Sequence, residues 1–169
     1  MEVRAARPDE YAMVGELTAT AYLADGTVHE EYLPTLRDAA ARAAHGALLV
    51  AVDTTTQDLL GTASLFTAAA GPAWAEGARS DDAVLRMLAV APTARRRGAG
   101  RALTQECIRR AREMGLHRLI LSTAPSMTGA HALYEQLGFR RDPGADWEPM
   151  PGFRLMAYWL PLRDGARTG

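Results

Sequence analysis

The chain contains no lysine and no asparagine, and all 19 of its basic side chains are arginine, a usage that fits a GC-rich coding sequence and says nothing about function. Its single cysteine, Cys107, excludes an internal disulfide and falls in the apolar stripe of a helix, where core packing is its expected role. Cys and His are nowhere grouped at metal-ligand spacing, so no metal site is expected. Long apolar runs are missing too. No stretch reaches the about 18 uncharged residues that a membrane span needs. The opening MEVRAARPDEY lacks a hydrophobic signal segment, so a soluble cytoplasmic protein with no membrane partner is expected. Neither sign of charge dominates: 19 Arg stand against 20 Asp and Glu, for a formal net charge of -1. That balance gives no global attraction for nucleic acid, and any basic site must be local.

What the chain has is enough apolar material for a core, 48% over 169 residues, and a single domain spanning 1–169 is expected. The alternation of signals predicts an α/β (α+β) fold with a mixed, mostly antiparallel sheet of about six to seven strands and about four helices. Strands are expected at 2–5, 47–52, 59–69, 83–90, 117–123, 139–142 and 153–160. Helices are expected at 8–24, 29–44, from 98 to Gly115, and at 125–137; the acids and Pro8 mark the first start, and Gly115 and Gly138 mark stops. The runs at 47–52 and 59–69 read as a hairpin, and 71–82 and DPGADWEPMPG as loops. The order strand, glycine-containing turn, helix, strand from 83 to 123 is that of a crossover unit.

The turn in that unit, LAVAPTARRRGAGRAL, carries the chemistry. Between a strand and the first turn of a helix, several backbone N–H groups lack a partner and the helix dipole adds positive charge, so a phosphate fits there. Gly98 and Gly100 keep side chains away from those amides, and Arg95, Arg96 and Arg97 add charge-assisted donors. The run is neither a Walker A loop nor a complete G-x-G-x-x-G. The less favoured reading of the same residues is a tight turn beside a solvated charge run.

A second segment, MTGAHALYEQLGF at 127–139, follows at a fitting distance. Together with the R-x-x-G-x-G spacing of Arg95 to Gly100, it strongly resembles the GNAT superfamily of N-acetyltransferases, which bind acetyl-CoA. The resemblance implies that Arg95, Arg96, Arg97, Gly98, Ala99, Gly100 and Arg101 hold the coenzyme A pyrophosphate. It implies that the backbone of Leu88, Ala89 and Val90 bonds the pantetheine, with the strands at 88–90 and 119–122 splayed around the thioester. Ala130 and Tyr134 match the helix motif, spaced four apart on one face; Ala130 lets the cofactor lie close and Tyr134 is implied to be the general acid. Met127 stands where the family often has Asn, so Ser126 or backbone groups take over that contact.

The implied reaction is direct transfer in a ternary complex from acetyl-CoA, as cosubstrate, to a primary amine of a small molecule or peptide. An alkylammonium must first lose a proton, commonly to a carboxylate. Many relatives have Glu at the place of Val84, two residues before Arg86, so Asp82 becomes the first base candidate, ahead of Glu30, Glu31 and His29. Tyr22, Tyr32, Trp74, Trp147 and Trp159 are candidate walls of the acceptor site. The alternative is a catalytically silent acyl-CoA sensor of the same fold. A monomer or a homodimer is compatible with the sequence.

Overall fold

The structure, a computed structural model, describes residues 1–26 and 28–163; residues 164–169, inside the expected domain bounds, lie outside the described residues. Among the described residues there are eight strands and five α-helices: β1 (Glu2–Ala5), α1 (Tyr11–Ala24), α2 (Leu33–Arg37), α3 (Ala39–His45), β2 (Ala47–Val52), β3 (Leu59–Thr67), β4 (Asp82–Val90), α4 (Ala99–Glu113), β5 (Arg118–Thr123), α5 (Thr128–Gln136), β6 (Arg140–Arg141), β7 (Trp147–Met150) and β8 (Phe153–Pro161). The fold is mixed α/β with a mostly antiparallel sheet, as expected. The chain forms two compact units, one comprising Met1–Phe66 and Leu85–Cys107, the other Thr67–Val84 and Ile108–Gly169.

In the first unit the strand order is β1-β2-β3-β4. The β2–β3 hairpin is antiparallel, with Ala47 opposite Leu65, and β1 pairs antiparallel on its other side. β2 is buried over nearly its whole length, and Leu48, Val50 and Val52 on one face meet Val14 of α1 and Ala39 of α3. The helix expected at 29–44 is broken. A 3-10 turn at Glu30–Tyr32 leads into α2, and α2 and α3 are separated at Asp38 (φ −81°, ψ 70°). The Asp38 carboxylate accepts the Ala41 N–H at 2.9 Å, capping α3 and making the break more favourable than a continuous helix.

Close approach of α1 and α2 depends on Gly15. A Cβ built there would lie 2.2 Å from the Arg37 carbonyl oxygen. Gly15→Ala gains about 1 kcal/mol of helix propensity, but the clash forces the backbones apart at a typical overpacking cost of about 1–3 kcal/mol. A lowered urea midpoint at unchanged slope is the expected result; an unchanged midpoint overturns it.

In the second unit β8 is central, pairing antiparallel with β5 (Leu119 opposite Leu160), with β6 (Arg140 opposite Trp159) and with β7 (Trp147 opposite Leu155). The opening residues of β4 run beside the start of β5, where the His117 N–H donates to the Asp81 carbonyl at 2.8 Å. β7 lies within the stretch expected to be a loop. Its neighbour Asp146 accepts from Arg141, from Arg154 and from the Ala157 N–H at 2.9 Å, and this fastening holds the segment on β8 despite its Pro and Gly content. α5 begins three residues later than expected, because Pro125–Met127 forms a turn closed by Met127 N–H to the Ala124 carbonyl at 3.0 Å.

Candidate functional site

In the first unit, a 3-10 turn at Pro92–Ala94 carries the chain from β4 to the arginine run. Arg96 (φ +63°) and Gly98 (φ +83°) both adopt left-handed backbone, a conformation that recurs where backbone N–H groups converge on an anion. A non-glycine residue held there is strained, and such strain gathers at ligand clamps. The first helical bond of α4 runs from Ala102 N–H to the Gly98 carbonyl at 3.0 Å. The amides of Ala99 and Gly100 therefore have no carbonyl within the helix to bond. The space beside Gly98 is open: a Cβ there would meet only Met1 Cε, at 4.0 Å.

Two of the three arginines are oriented by acids distant in sequence. Arg95 donates to Asp25 at 2.7 Å and Arg97 to Asp53 at 2.5 Å. The Arg97 hydrogen bond, aided by the amides of Thr55 and Thr56, holds the Asp53 carboxyl at about 2. Both arginines are about half exposed, so the pairs add little stability. Their consequence is geometric, since they fix guanidinium groups around the turn. Arg96 is exposed.

Upstream on β4, burial alternates: Leu85, Met87 and Ala89 are buried, while Arg86, Leu88 and Val90 are half-buried on the other face. Met87, immediately before Leu88, has left-handed backbone (φ +52°). Arg86 Nη2 donates to Tyr32 Oη at 3.0 Å.

In the second unit, Tyr134 of α5 is 5% exposed, its ring packed against Phe139 (5.5 Å between centroids) and Tyr158 (6.1 Å). Ala130, one turn earlier, is half-buried, as is Met127, and Ser126 is exposed in the turn before the helix. Asp82, at the start of β4, is fully buried. It accepts Arg118 Nε at 2.8 Å on one oxygen, and on the other Arg118 Nη2 at 2.7 Å and the Arg79 N–H at 2.9 Å. Burial pushes its carboxyl up, but the Arg118 hydrogen bonds, the Arg79 amide and the guanidinium charges outweigh that and leave it below the usual value.

The sequence matches the model of the acetyltransferase (GNAT) family over residues 11–139. The chain belongs to the GNAT acetyltransferase family. It is therefore an acyltransferase. The fold is similar to that of the ribosomal-protein-S18-alanine N-acetyltransferase from Escherichia coli (18% identity, TM-score 0.71, covering 99% of this chain and 97% of the other). It is also similar to yncA from Salmonella typhimurium, described with its cofactor acetyl-CoA (20% identity, TM-score 0.73, covering 100% and 98%). A GCN5-related N-acetyltransferase from Kribbella flavida has 27% identity and a TM-score of 0.70, covering 95% and 96%. No curated protein matches the sequence.

In this acetyltransferase the geometry of Asp82 does not fit the expected proton acceptor. A base needs an oxygen lone pair within reach of the acceptor and an affinity for the proton; Asp82 is sealed from solvent, bidentate on Arg118 and less basic than an ordinary carboxyl. The other candidates, His29, Glu30 and Glu31, are exposed on the 3-10 turn before α2. Among the aromatic candidates, Trp147 Nε1 donates to Ser122 Oγ at 3.1 Å. Trp159 lies between the guanidinium groups of Arg118 and Arg140, 5.9 and 5.3 Å from its ring centre. Trp74 is half-buried in the 71–81 loop, and Tyr22 and Tyr32 are half-buried in the first unit.

Sequence reasoning did not assign Asp25, Asp53 or Arg86 to the site. Asp25 and Asp53 carry no local signal, since their partners lie 70 and 44 residues away. Arg86 did carry one, a lone charge inside the apolar strand AVLRMLAV. Among the described residues no group of three or more His, Cys, Asp or Glu could hold a metal, and no helix is long and apolar enough to cross a membrane.

Proposed function

We propose that the protein transfers the acetyl group of acetyl-CoA directly to a primary amine on a small molecule or peptide. The observation that carries the reading is the turn into α4, where two left-handed residues, the amides of Ala99 and Gly100 that have no carbonyl within the helix to bond, and arginines oriented by Asp25 and Asp53 come together in a chain of this family. Arg95 to Arg101 hold the pyrophosphate, and the backbone of Leu88, Ala89 and Val90, which follows the left-handed Met87, bonds the pantetheine arm. Ser126 and Ala130 line the arm at α5. The Leu88 N–H polarises the thioester carbonyl. A neutral amine attacks that carbon, the C–N bond forms and the C–S bond breaks. Tyr134 gives its phenolic proton to the departing sulfur and regains one from solvent. The proton of the acceptor ammonium leaves to water or to an exposed group such as His29, Glu30 or Glu31. The cytoplasm, where acetyl-CoA is at hand, is the compartment this activity suits.

Incubation with acetyl-CoA and a panel of primary amines, followed by free thiol, tests the proposal. Acceptor-dependent thiol release supports it; binding of acetyl-CoA with no release for any amine assigns the chain to the silent sensor. Gly98→Val places a β-branched side chain at φ +83° in the open concavity. Its affinity for acetyl-CoA, read by calorimetry on folded protein, is expected to fall at least about tenfold, given a strain of about 1–3 kcal/mol and obstruction of the amides. Unchanged affinity removes the turn from the binding site.

A further inference from the structure

Arg42 of α3 is fully buried, and its guanidinium meets only uncharged oxygens: Nη2 donates to Thr18 Oγ1 at 3.1 Å and to the Leu36 carbonyl at 2.9 Å, and Nη1 to Ser64 Oγ at 3.4 Å. Its Nε has no partner. Among the described residues no carboxylate lies within salt-bridge distance of it; Asp38 acts on it only as a more distant charge. A buried cation without a paired anion is costly, and in a low-dielectric interior its field reaches the groups around it.

The field falls on Tyr22 of α1, whose phenol feels both Arg42 and Arg86 of β4. Burial raises the Tyr22 phenol far above its ordinary value, with Tyr32 adding to the rise, so Tyr22 stays neutral and does not offset the two arginines. Arg86 stands two residues before Leu88 on the half-buried face of β4. Along a strand that is about 6.6 Å between Cα atoms. Its Nη2 is directed by Tyr32 Oη, which accepts at 3.0 Å. The hydroxyl proton of Tyr32 is committed to no described residue, leaving the phenol able to donate to the same group that Arg86 meets.

We infer that Arg86 and Tyr32, backed by Arg42, form an anion subsite that selects acceptor amines carrying a carboxylate a few bonds from the reacting nitrogen. The inference rests on the acetyl-transfer reading for its chemistry but uses residues of the first unit alone. Because Arg86 and Leu88 share one face of β4 two residues apart, an acceptor whose carboxylate meets Arg86 while its amine approaches the thioester carries the two groups a few bonds apart, as in an amino acid or in a peptide whose first residue is acidic. The same field opposes a bound ammonium, which lowers its proton affinity and lessens the need for a strong base. A plain alkylamine has nothing to offset that repulsion and is disfavoured.

The test compares kcat/KM for free amino acids with that for the matching amino-acid amides, and for dipeptide amides beginning with Asp or Glu with those beginning with Asn or Gln. The amine of an amino-acid amide is the less basic, so intrinsic reactivity near neutral pH favours the amide, and a preference for the acid runs against it. In the parent the carboxylate-bearing member of one series is expected to lead by at least about tenfold, the size of a charged hydrogen-bond pair; whichever series shows it identifies the source of the carboxylate. Arg86→Gln is expected to bring the ratio within about twofold, with Arg86→Lys and Tyr32→Phe between. Because the readout is a ratio within one variant, loss of folded protein does not move it. A parent ratio near one, or a ratio untouched by R86Q, overturns the inference. If no amine releases thiol, the transfer reading fails separately, and calorimetry of the same acids and amides on the CoA-loaded parent and R86Q decides the subsite: equal binding of acid and amide overturns it.

Discussion

Tyr134→Phe is expected to lower kcat by about 10²- to 10⁴-fold, the usual contribution of a positioned general acid, while acetyl-CoA affinity stays within about twofold. A phenol with an ordinary pKa near 10 keeps its proton at neutral pH, yet is acidic enough to deliver it to a thiolate as the C–S bond breaks. The substitution is well suited to separate chemistry from packing. Tyr134 is 5% exposed and its ring contributes to a cluster with Phe139 and Tyr158, contacts that phenylalanine keeps. A tyrosine serving only the core gives the opposite pattern, a lowered melting temperature with turnover intact per folded molecule. Steady-state kinetics beside a melting curve read both. A rate within about twofold of the parent, under about 0.5 kcal/mol of barrier, overturns the acid role.

How far such features can be read from sequence depends on how local their causes are. The β2–β3 hairpin, the helix α4 and the turn before it were legible because their determinants are contiguous: an apolar run closed by DTTTQD, a 3.6-residue stripe, and glycines at fixed offsets. The break at Asp38 is also local, but a cap inside an otherwise helical run is outweighed by the alanines around it in any windowed reading. β7 was missed for a tertiary reason, since Asp146 gathers Arg141, Arg154 and the Ala157 amide from two other stretches of chain. The same distinction divides the site. The motif residues Arg95, Gly98, Gly100 and Tyr134 announce themselves by spacing, whereas the acids that orient the arginines do not. Parity along β4 related Asp82 to Val84 but said nothing of Arg118, which begins the neighbouring strand and converts a candidate base into half of an ion pair.

That conversion yields the prediction with the largest expected effect on stability. Asp82→Asn removes the carboxylate paired directly with Arg118 at a position of zero exposure, and breaking such a pair costs about 3–5 kcal/mol. The lower part of that range is expected, because the Arg118 side chain retains 24% exposure and can recover some hydration. Asp82's carboxyl lies below its ordinary value of 3.8 in the fold, so its contribution is complete above that value and is lost as pH falls through the depressed one. Acid unfolding of the parent is therefore expected to include a component absent from D82N. Arg118→Gln should reproduce most of the loss, and the double variant should cost less than the sum of the two, the signature of a direct pair. Turnover discriminates the ion pair from a base. Counted per folded molecule at neutral pH, D82N is expected to keep the parent rate within a few-fold and to keep its pH profile, because the acceptor's proton leaves elsewhere. A stable D82N whose rate collapses at low pH and recovers at high pH would return Asp82 to the role of general base.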